Sequence, residues 1–245
     1  MSGAPTTLAI DIGGTGLKAS ILDGSGTMEV KRVRIPTPYP CSPDVMVDAL
    51  AKLVAPLPGY DRISIGFPGV VREDRVITAP HFGNKPWQGY PLAEAVAHRL
   101  GKPARLLNDA EVQGLGIVKG QGLEVVLTLG TGVGSAVFSN GALTPHLELA
   151  HHPIRKDKTY NEYLGDAARR KLSGSKWNKR VLRTIEIVDA LLHYDVLYLG
   201  GGNAAKIAVT LPKNVYIASN DAGITGGVRL WDDAVWNAVL NGRGR

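Results

Sequence analysis

The pair Asn108-Asp109 lies between two glycine-rich turns, LAIDIGGTGLK (Leu8 to Lys18) and VLTLGTGVGS (Val126 to Ser135), and a third, LYLGGGN (Leu197 to Asn203), follows further along. Each turn comes after an apolar run that reads as a strand. Closely spaced glycines (Gly13 and Gly14, then Gly130 and Gly132, then Gly201 and Gly202) let a backbone take positive φ and approach a ligand. Exposed N–H groups, with the hydroxyls of Thr15 and Thr131, suit phosphate oxygens. Asp109 ends a strand-like run and opens a helix-like one, Ala110 to Val118, where the helix dipole favours a carboxylate. A carboxylate so placed can accept the proton of a hydroxyl attacking a phosphoryl group, while positioning and electrostatics supply most of the rest. The same residue types also serve as plain helix N-caps. Asp11, a residue strands disfavour, is expected beside the donor phosphates, holding Mg²⁺ through water because that ion keeps part of its hydration shell. Lys18 faces either phosphate or solvent, since side chains alternate along a strand.

The spacing fits neither GxxxxGK[ST] nor a GxGxxG that opens a helix. Gly13 and Gly14 instead sit between two β-like runs, Leu8 to Ile12 and Leu17 to Leu22, at the tip of a hairpin. A third strand is expected over Met28 to Ile35 and a helix over Val45 to Val54, opened by Ser42-Pro43-Asp44. A buried strand follows over Ile63 to Phe67, then a helix over Leu92 to Leu100 stopped by Gly101, and a strand over Ala104 to Leu107. Glu124 to Phe138 repeats the opening hairpin around the second turn. Lys176 to His193 reads as an amphipathic helix with Trp177, Val181, Ile185, Val188 and Leu192 on one face. Strand Val196 to Leu199 and a last helix from about Ile224 to Leu240 complete two similar halves, each led by a strand-turn-strand.

DIGGTGLK at Asp11 to Lys18, FPG at Phe67 to Gly69, LND at Leu107 to Asp109, LGTGVGS at Leu129 to Ser135, ELAH at Glu148 to His151 and LGGG at Leu199 to Gly202 together resemble the ROK family of sugar kinases. Within it the short length, LGTGVGSAVF and SKWNKRVLRTIE are similar to the polyphosphate/ATP glucokinases. The resemblance implies an α/β chain with the two-lobed actin-like ATPase (ribonuclease H-like) fold, each lobe a mixed sheet flanked by helices. It places a smaller lobe over 1–109 plus about 226–245, a larger lobe over 110–225, and the active cleft between them. By the same resemblance Asp109 is the catalytic base, Asn108 a sugar-hydroxyl ligand, and Asn84 and the Phe67-Pro68-Gly69 turn sugar contacts. Asn84 also reads as a plain turn residue before Lys85-Pro86. Glu148 and His151 match a sugar-binding E-x-G-H motif in which Ala150 replaces glycine. Glu162 matches a further sugar-side glutamate or is a surface helix residue. Many members bind zinc through that histidine and three cysteines; this chain has only Cys41, so no structural zinc is expected. The implied reaction moves a terminal phosphoryl group from ATP and/or polyphosphate to the 6-hydroxyl of glucose, in a homodimer. Mannose or an N-acetylated sugar is the alternative acceptor.

The chain has 245 residues, 44% of them hydrophobic, with a net charge of +6. That length buries a sizeable core in one large domain or two small ones. No apolar run approaches the roughly 18 residues that span a bilayer, and MSGAPTT lacks signal-peptide features, which points to the cytoplasm and away from a membrane. The basicity is local: residues 151–183 hold ten Lys or Arg against three Asp or Glu. Such a segment reads as a solvated helix face or as a track for an anionic donor longer than ATP, and no recognition motif accompanies it to indicate nucleic acid. Two rivals to a kinase share the motifs: a non-catalytic sugar-binding regulator, which would need a DNA-binding segment ahead of the first strand, and an actin-like ATPase, in which Asn108-Asp109 and Glu148-x-x-His151 would have no shared purpose.

Overall fold

The computed structural model describes residues 4–219 and 221–243. They form two units, one made of the residues up to Gly116 with those from Asp221 on, the other of the residues from Ile117 on to 219. The ends of the expected lobes at 1 and 245 lie outside the described residues. The divide falls after Gly116 rather than at 109, so the Asp109–Leu115 helix belongs with the first unit, which is the longer one. Its packing gives the reason: it lies against the 222–231 segment and the strand Arg62–Phe67.

The first unit is built on a five-stranded sheet ordered Val33–Pro36, Gly16–Leu22, Thr7–Ile12, Arg62–Phe67, Ala104–Asn108. The first two pairings are antiparallel and the last two parallel. Period-two alternation sorts its two faces. Leu8, Ile10 and Ile12, with Leu17, Ala19, Ile21, Ile63, Ile65 and Phe67, pack on the helices Pro43–Val54 and Leu92–Leu100 to form the core. The other face carries Ala9, Asp11, Lys18, Ser20, Ser64 and Gly66. On it Ala9 and Leu22 meet Ile224, and the Ser64 hydroxyl donates to Gly227 O at 2.6 Å.

The second unit repeats the order with Ala142–Leu143, Val133–Ser139, Leu123–Leu129, Val196–Gly200 and Val215–Ile217. The helix Gly174–Leu192 buries Trp177, Val181, Ile185 and Val188 against this sheet, as its spacing predicts. Buried Glu124 accepts the backbone N–H groups of Lys119, Gly120 and Gln121 and the hydroxyl of Tyr198, which fixes the loop leading into the first strand of the sheet. Burial, with that bond to the carboxylate, pushes the Tyr198 phenol up to about 12. Each unit is thus a mixed sheet flanked by helices, and the fold class is the actin-like ATPase type.

Three expectations differ from the structure. The strand expected over Met28 to Ile35 is only Val33–Pro36, with Met28 making a single bridge to Leu22. The helix expected from Ile224 to Leu240 is three pieces: Ala222–Thr225, a 3₁₀ stretch Gly226–Trp231, and Asp233–Arg243. Glycines weaken the helix there, and Gly226 is pressed so close to the Asp109–Leu115 helix that a Cβ on it would lie 2.0 Å from Val112 O. The basic segment contains an unforeseen hairpin, Pro153–Arg155 with Lys158–Thr159, carrying Lys156 and Asp157 at positive φ in its turn.

The last helix is held by Arg105. Its guanidinium lies 4.4 Å from the centroid of the Trp231 ring and 4.7 Å from that of Trp236, and donates to Leu230 O at 2.6 Å. The Trp231 indole N–H donates to Ser64 Oγ, so sheet and C-terminal segment are joined by polar and cation–π contacts together.

Candidate active site

In the first unit Asp11 pairs across the hairpin with Lys18, whose Nζ donates to Asp11 Oδ2 at 2.7 Å. Both side chains are half-buried. Gly13 N–H closes the turn on Gly16 O at 3.1 Å, and Thr37 ties it to the next strand by donating its hydroxyl to Gly13 O and its N–H to Thr15 O. Neither Gly13 nor Gly14 takes positive φ, which corrects the expected reason for the glycines. Close packing explains them instead. A Cβ on Gly13 would sit 2.8 Å from Gly16 O, one on Gly14 3.1 Å from the His81 ring, and one on Gly16 2.8 Å from Arg34 Nε. Thr15 is exposed at the tip.

On the same sheet face, Asp11 is the register partner of Gly66, and a Cβ on Gly66 would lie 3.4 Å from Asp109 Cα. Asp11 and the start of the Asp109–Leu115 helix are therefore neighbours. Asn108 caps that helix: its Oδ1 accepts Ala110 N–H at 2.9 Å, and Glu111 reaches back to Asn108 N–H at 3.2 Å in a capping box. The Asn108 amide donates to Phe67 O at 3.4 Å and to Gly69 O at 3.0 Å, so this buried side chain ties the FPG turn to the helix. Gly69 tolerates no side chain, since a Cβ there would lie 2.1 Å from Thr78 O. Asp109 is half-buried, with Oδ1 accepting Ala110 N–H at 2.8 Å.

Asn84 is exposed at the start of the Asn84–Trp87 helix, its Oδ1 accepting Ala79 N–H at 2.7 Å. Trp87 is core, in tilted ring contact with Phe67 and Phe82 and donating its indole N–H to Cys41 O. Cys41 belongs to the same core rather than to a loose loop, and burial pushes its thiol up.

In the second unit the turn Gly130–Gly132 closes by a Gly130 N–H to Gly132 O bond of 2.9 Å. Asn161 Oδ1 accepts Val133 N–H at 2.7 Å, and a Cβ on Gly132 would collide with that oxygen. The third glycine loop sits against the second. Gly201, at φ +80°, approaches the backbone of Leu129 so closely that a Cβ would lie 2.5 Å from its O, and Asn203 donates its amide to Gly130 O at 3.0 Å. Thr131 and Gly202 are exposed beside this junction.

Glu148 makes two contacts. Oε1 accepts Ala150 N–H at 2.9 Å, and Oε2 lies 3.5 Å from Nε2 of His146, a side chain only 6% exposed. Burial raises the affinity of Glu148 for a proton, but the His146 and Ala150 hydrogen bonds and the charges of His146 and His151 outweigh it and hold the carboxyl below the usual range. His151 is exposed three residues on. Glu162 accepts Thr159 N–H at 2.9 Å and its hydroxyl at 3.2 Å in a capping box of the Tyr160–Leu164 helix, which favours the surface-helix reading of that residue. The residues that spacing did not reveal are Arg34, His81, His146, Asn161 and Asn203. Only Asn203, directly after LGGG, carried a local signal.

A model described as the ROK family matches residues 7–148. A polyphosphate glucokinase from Mycobacterium tuberculosis (strain ATCC 25177 / H37Ra) is 31% identical over 213 residues, 83% of this chain and 80% of that protein. The solved inorganic polyphosphate/ATP-glucomannokinase from Arthrobacter sp. strain KM superposes with a TM-score of 0.83 at 31% identity, covering 92% of this chain and 97% of that one. A ROK family glucokinase from Streptomyces griseus shares the fold at a TM-score of 0.77 and 19% identity, covering 92% and 98% of the two chains. The model spans more than half of the sequence, the first two glycine turns and the Asn108-Asp109 pair fall inside it, and the chain belongs to the ROK family.

Proposed function

We propose that this protein is a hexose kinase of the glucokinase type, moving the terminal phosphoryl group of inorganic polyphosphate or ATP to the sugar 6-hydroxyl. The observation that carries the reading is Asp109: a half-buried carboxylate on the first residue of a helix, beside Asp11 on the sheet face that bears the first glycine turn. The Mycobacterium and Arthrobacter relatives support the choice of sugar and donor.

In this reading the 6-hydroxyl gives its proton to Asp109 as its oxygen bonds to the terminal phosphorus. The bridging oxygen then leaves with ADP or with a polyphosphate shorter by one phosphate. Asn108 does not need to touch sugar to matter, because its amide fixes both the base-bearing helix and the Gly69 turn. The Asn84 NH₂, Glu148 and His151 offer the donor and acceptor set that vicinal hydroxyls require. The turns at Gly13, Gly14 and Thr15, at Gly130, Thr131 and Gly132, and at Gly201 and Gly202 offer backbone N–H groups to phosphate, apart from those of Gly13 and Gly130, which close their own turns. Mg²⁺ bound with the donor would offset its charge. Asp11 would hold a hydrated ion through Oδ1, since Lys18 takes Oδ2. The protein acts as a homodimer in the cytoplasm; among the described residues no helix is long and apolar enough to cross a membrane.

Asp109→Asn tests the assignment. It keeps the size and the capping geometry and removes the proton acceptor, so turnover is expected to fall by roughly 10²–10⁴ with sugar affinity nearly unchanged. Turnover within a few fold of the parent would remove Asp109 as the base.

A further inference from the structure

We propose that Arg34 is a ligand for the phosphoanhydride chain of the donor, seated over the first glycine turn by the missing side chain of Gly16. The inference rests on the kinase reading and adds a residue to it.

Arg34 is exposed on the strand Val33–Pro36, directly opposite Lys18 in register, and Lys18 is opposite Asp11. The three form one charged row across the sheet, on the face that carries Asp109. Lys18 and Asp11 neutralise each other at 2.7 Å. Arg34 has no hydrogen bond or ion pair with any described residue, so the net positive charge of the row is its own. Like charges placed opposite one another on a sheet are destabilising, and such local conflict marks positions kept for function. An anion above the turn would relieve it.

The seat is specific. An added Cβ on Gly16 would meet Arg34 Nε at 2.8 Å, Nη2 at 3.0 Å and Cζ at 3.3 Å, so the guanidinium lies across the bare backbone of this residue. Thr37, three residues beyond Arg34, binds Gly13 O and Thr15 O and fixes the strand end to the turn. The planar fork is thus held beside the N–H groups of the turn, and a guanidinium matches two phosphate oxygens at once, which an ammonium does not. Arg32, the neighbouring cation two residues before it, is instead paired with Asp221 at 3.2 Å.

The test uses the full chain and titrates tripolyphosphate, and separately a non-hydrolysable ATP analogue with Mg²⁺, by calorimetry, with glucose affinity and turnover measured alongside. Arg34→Gln, at an exposed position, is expected to weaken donor binding about ten-fold or more and to leave glucose affinity within two-fold. Gly16→Ala, which fills the seat, is expected to weaken the same step, and the double variant to be no worse than Arg34→Gln alone, because both changes remove one interaction. Weakening of both donors places Arg34 on phosphates they share; weakening of tripolyphosphate alone assigns it to the inorganic chain. Unchanged affinity for both in Arg34→Gln overturns the proposal. If the parent protein phosphorylates glucose while that variant binds donor normally, the proposal fails alone. If the parent binds tripolyphosphate through Arg34 but phosphorylates no sugar, the kinase reading fails and the phosphate site stands.

Discussion

Glu148 keeps its charge in a partly buried setting because His146, Ala150 N–H and His151 together outweigh the effect of burial. The sign of the pH dependence follows. A carboxyl whose folded value is depressed contributes above its ordinary range and loses that contribution only as pH falls through the lowered value. Sugar affinity is therefore expected to stay level from neutrality down through the ordinary glutamate range, near 4.3, and to decline only below it. His146→Phe removes the hydrogen bond and the charge while filling the same space, so the acid limb should move to higher pH; titrating sugar binding by Trp fluorescence in both proteins checks this, and superimposed limbs would show that His146 does not hold the carboxylate. At this scale the sequence was readable where a residue acts through its neighbours in the chain. Asn108-Asp109 announced a helix start, whereas the imidazole that Glu148 contacts is that of His146 rather than of His151. His81 and Arg34 were silent because each acts on a group that only the fold brings close, whereas His146, two residues from the Glu148 it contacts, belongs to no motif. In the first turn the glycines were placed correctly but for the wrong reason, since packing against Gly16 O, His81 and Arg34, rather than positive φ, demands them; in the third, Gly201 does take positive φ.

Among the elements, the C-terminal segment shows what periodicity misses. Apolar spacing suggested one helix, whereas contact of Gly226 with Val112 and the Arg105 bracket between Trp231 and Trp236 break it into three. Arg105→Met keeps the aliphatic stem but loses both cation–π contacts and the bond to Leu230 O. It should cost about 1–3 kcal/mol of stability, read by chemical denaturation, and should speed amide exchange over Asp233–Arg243. Stability equal to the parent would mean that apolar burial of the two tryptophans is sufficient to hold the helix. The strands of both hairpins and the helices Pro43–Val54, Leu92–Leu100 and Gly174–Leu192 were legible because their caps and faces are written locally, as in Ser42-Pro43 and Gly101. The two-residue and three-residue strands were not, since so few residues carry no period.

For the molecule as a whole, the repeated strand-turn-strand in the sequence corresponds to a repeated sheet order, and the fold class followed from it. The division between units did not, because the Asp109–Leu115 helix is assigned by what it packs on rather than by its own pattern. The local basicity also changes meaning in three dimensions. Arg169 and Arg170 bind Asp166, Arg180 donates to Tyr163 O and lies over its ring, and Arg183 binds Glu186. Arg155 and the lysines, Lys156, Lys158, Lys171, Lys176 and Lys179, stay exposed and outside these pairs. A long anionic donor at this segment would meet Arg155 and these lysines.

The most direct measurement is sugar phosphorylation with glucose, Mg²⁺ and either polyphosphate or ATP, beside reactions from which glucose is omitted, followed by ³¹P NMR. The account predicts glucose 6-phosphate in the complete reactions and negligible donor cleavage without sugar. Phosphate release that proceeds equally without glucose would contradict it.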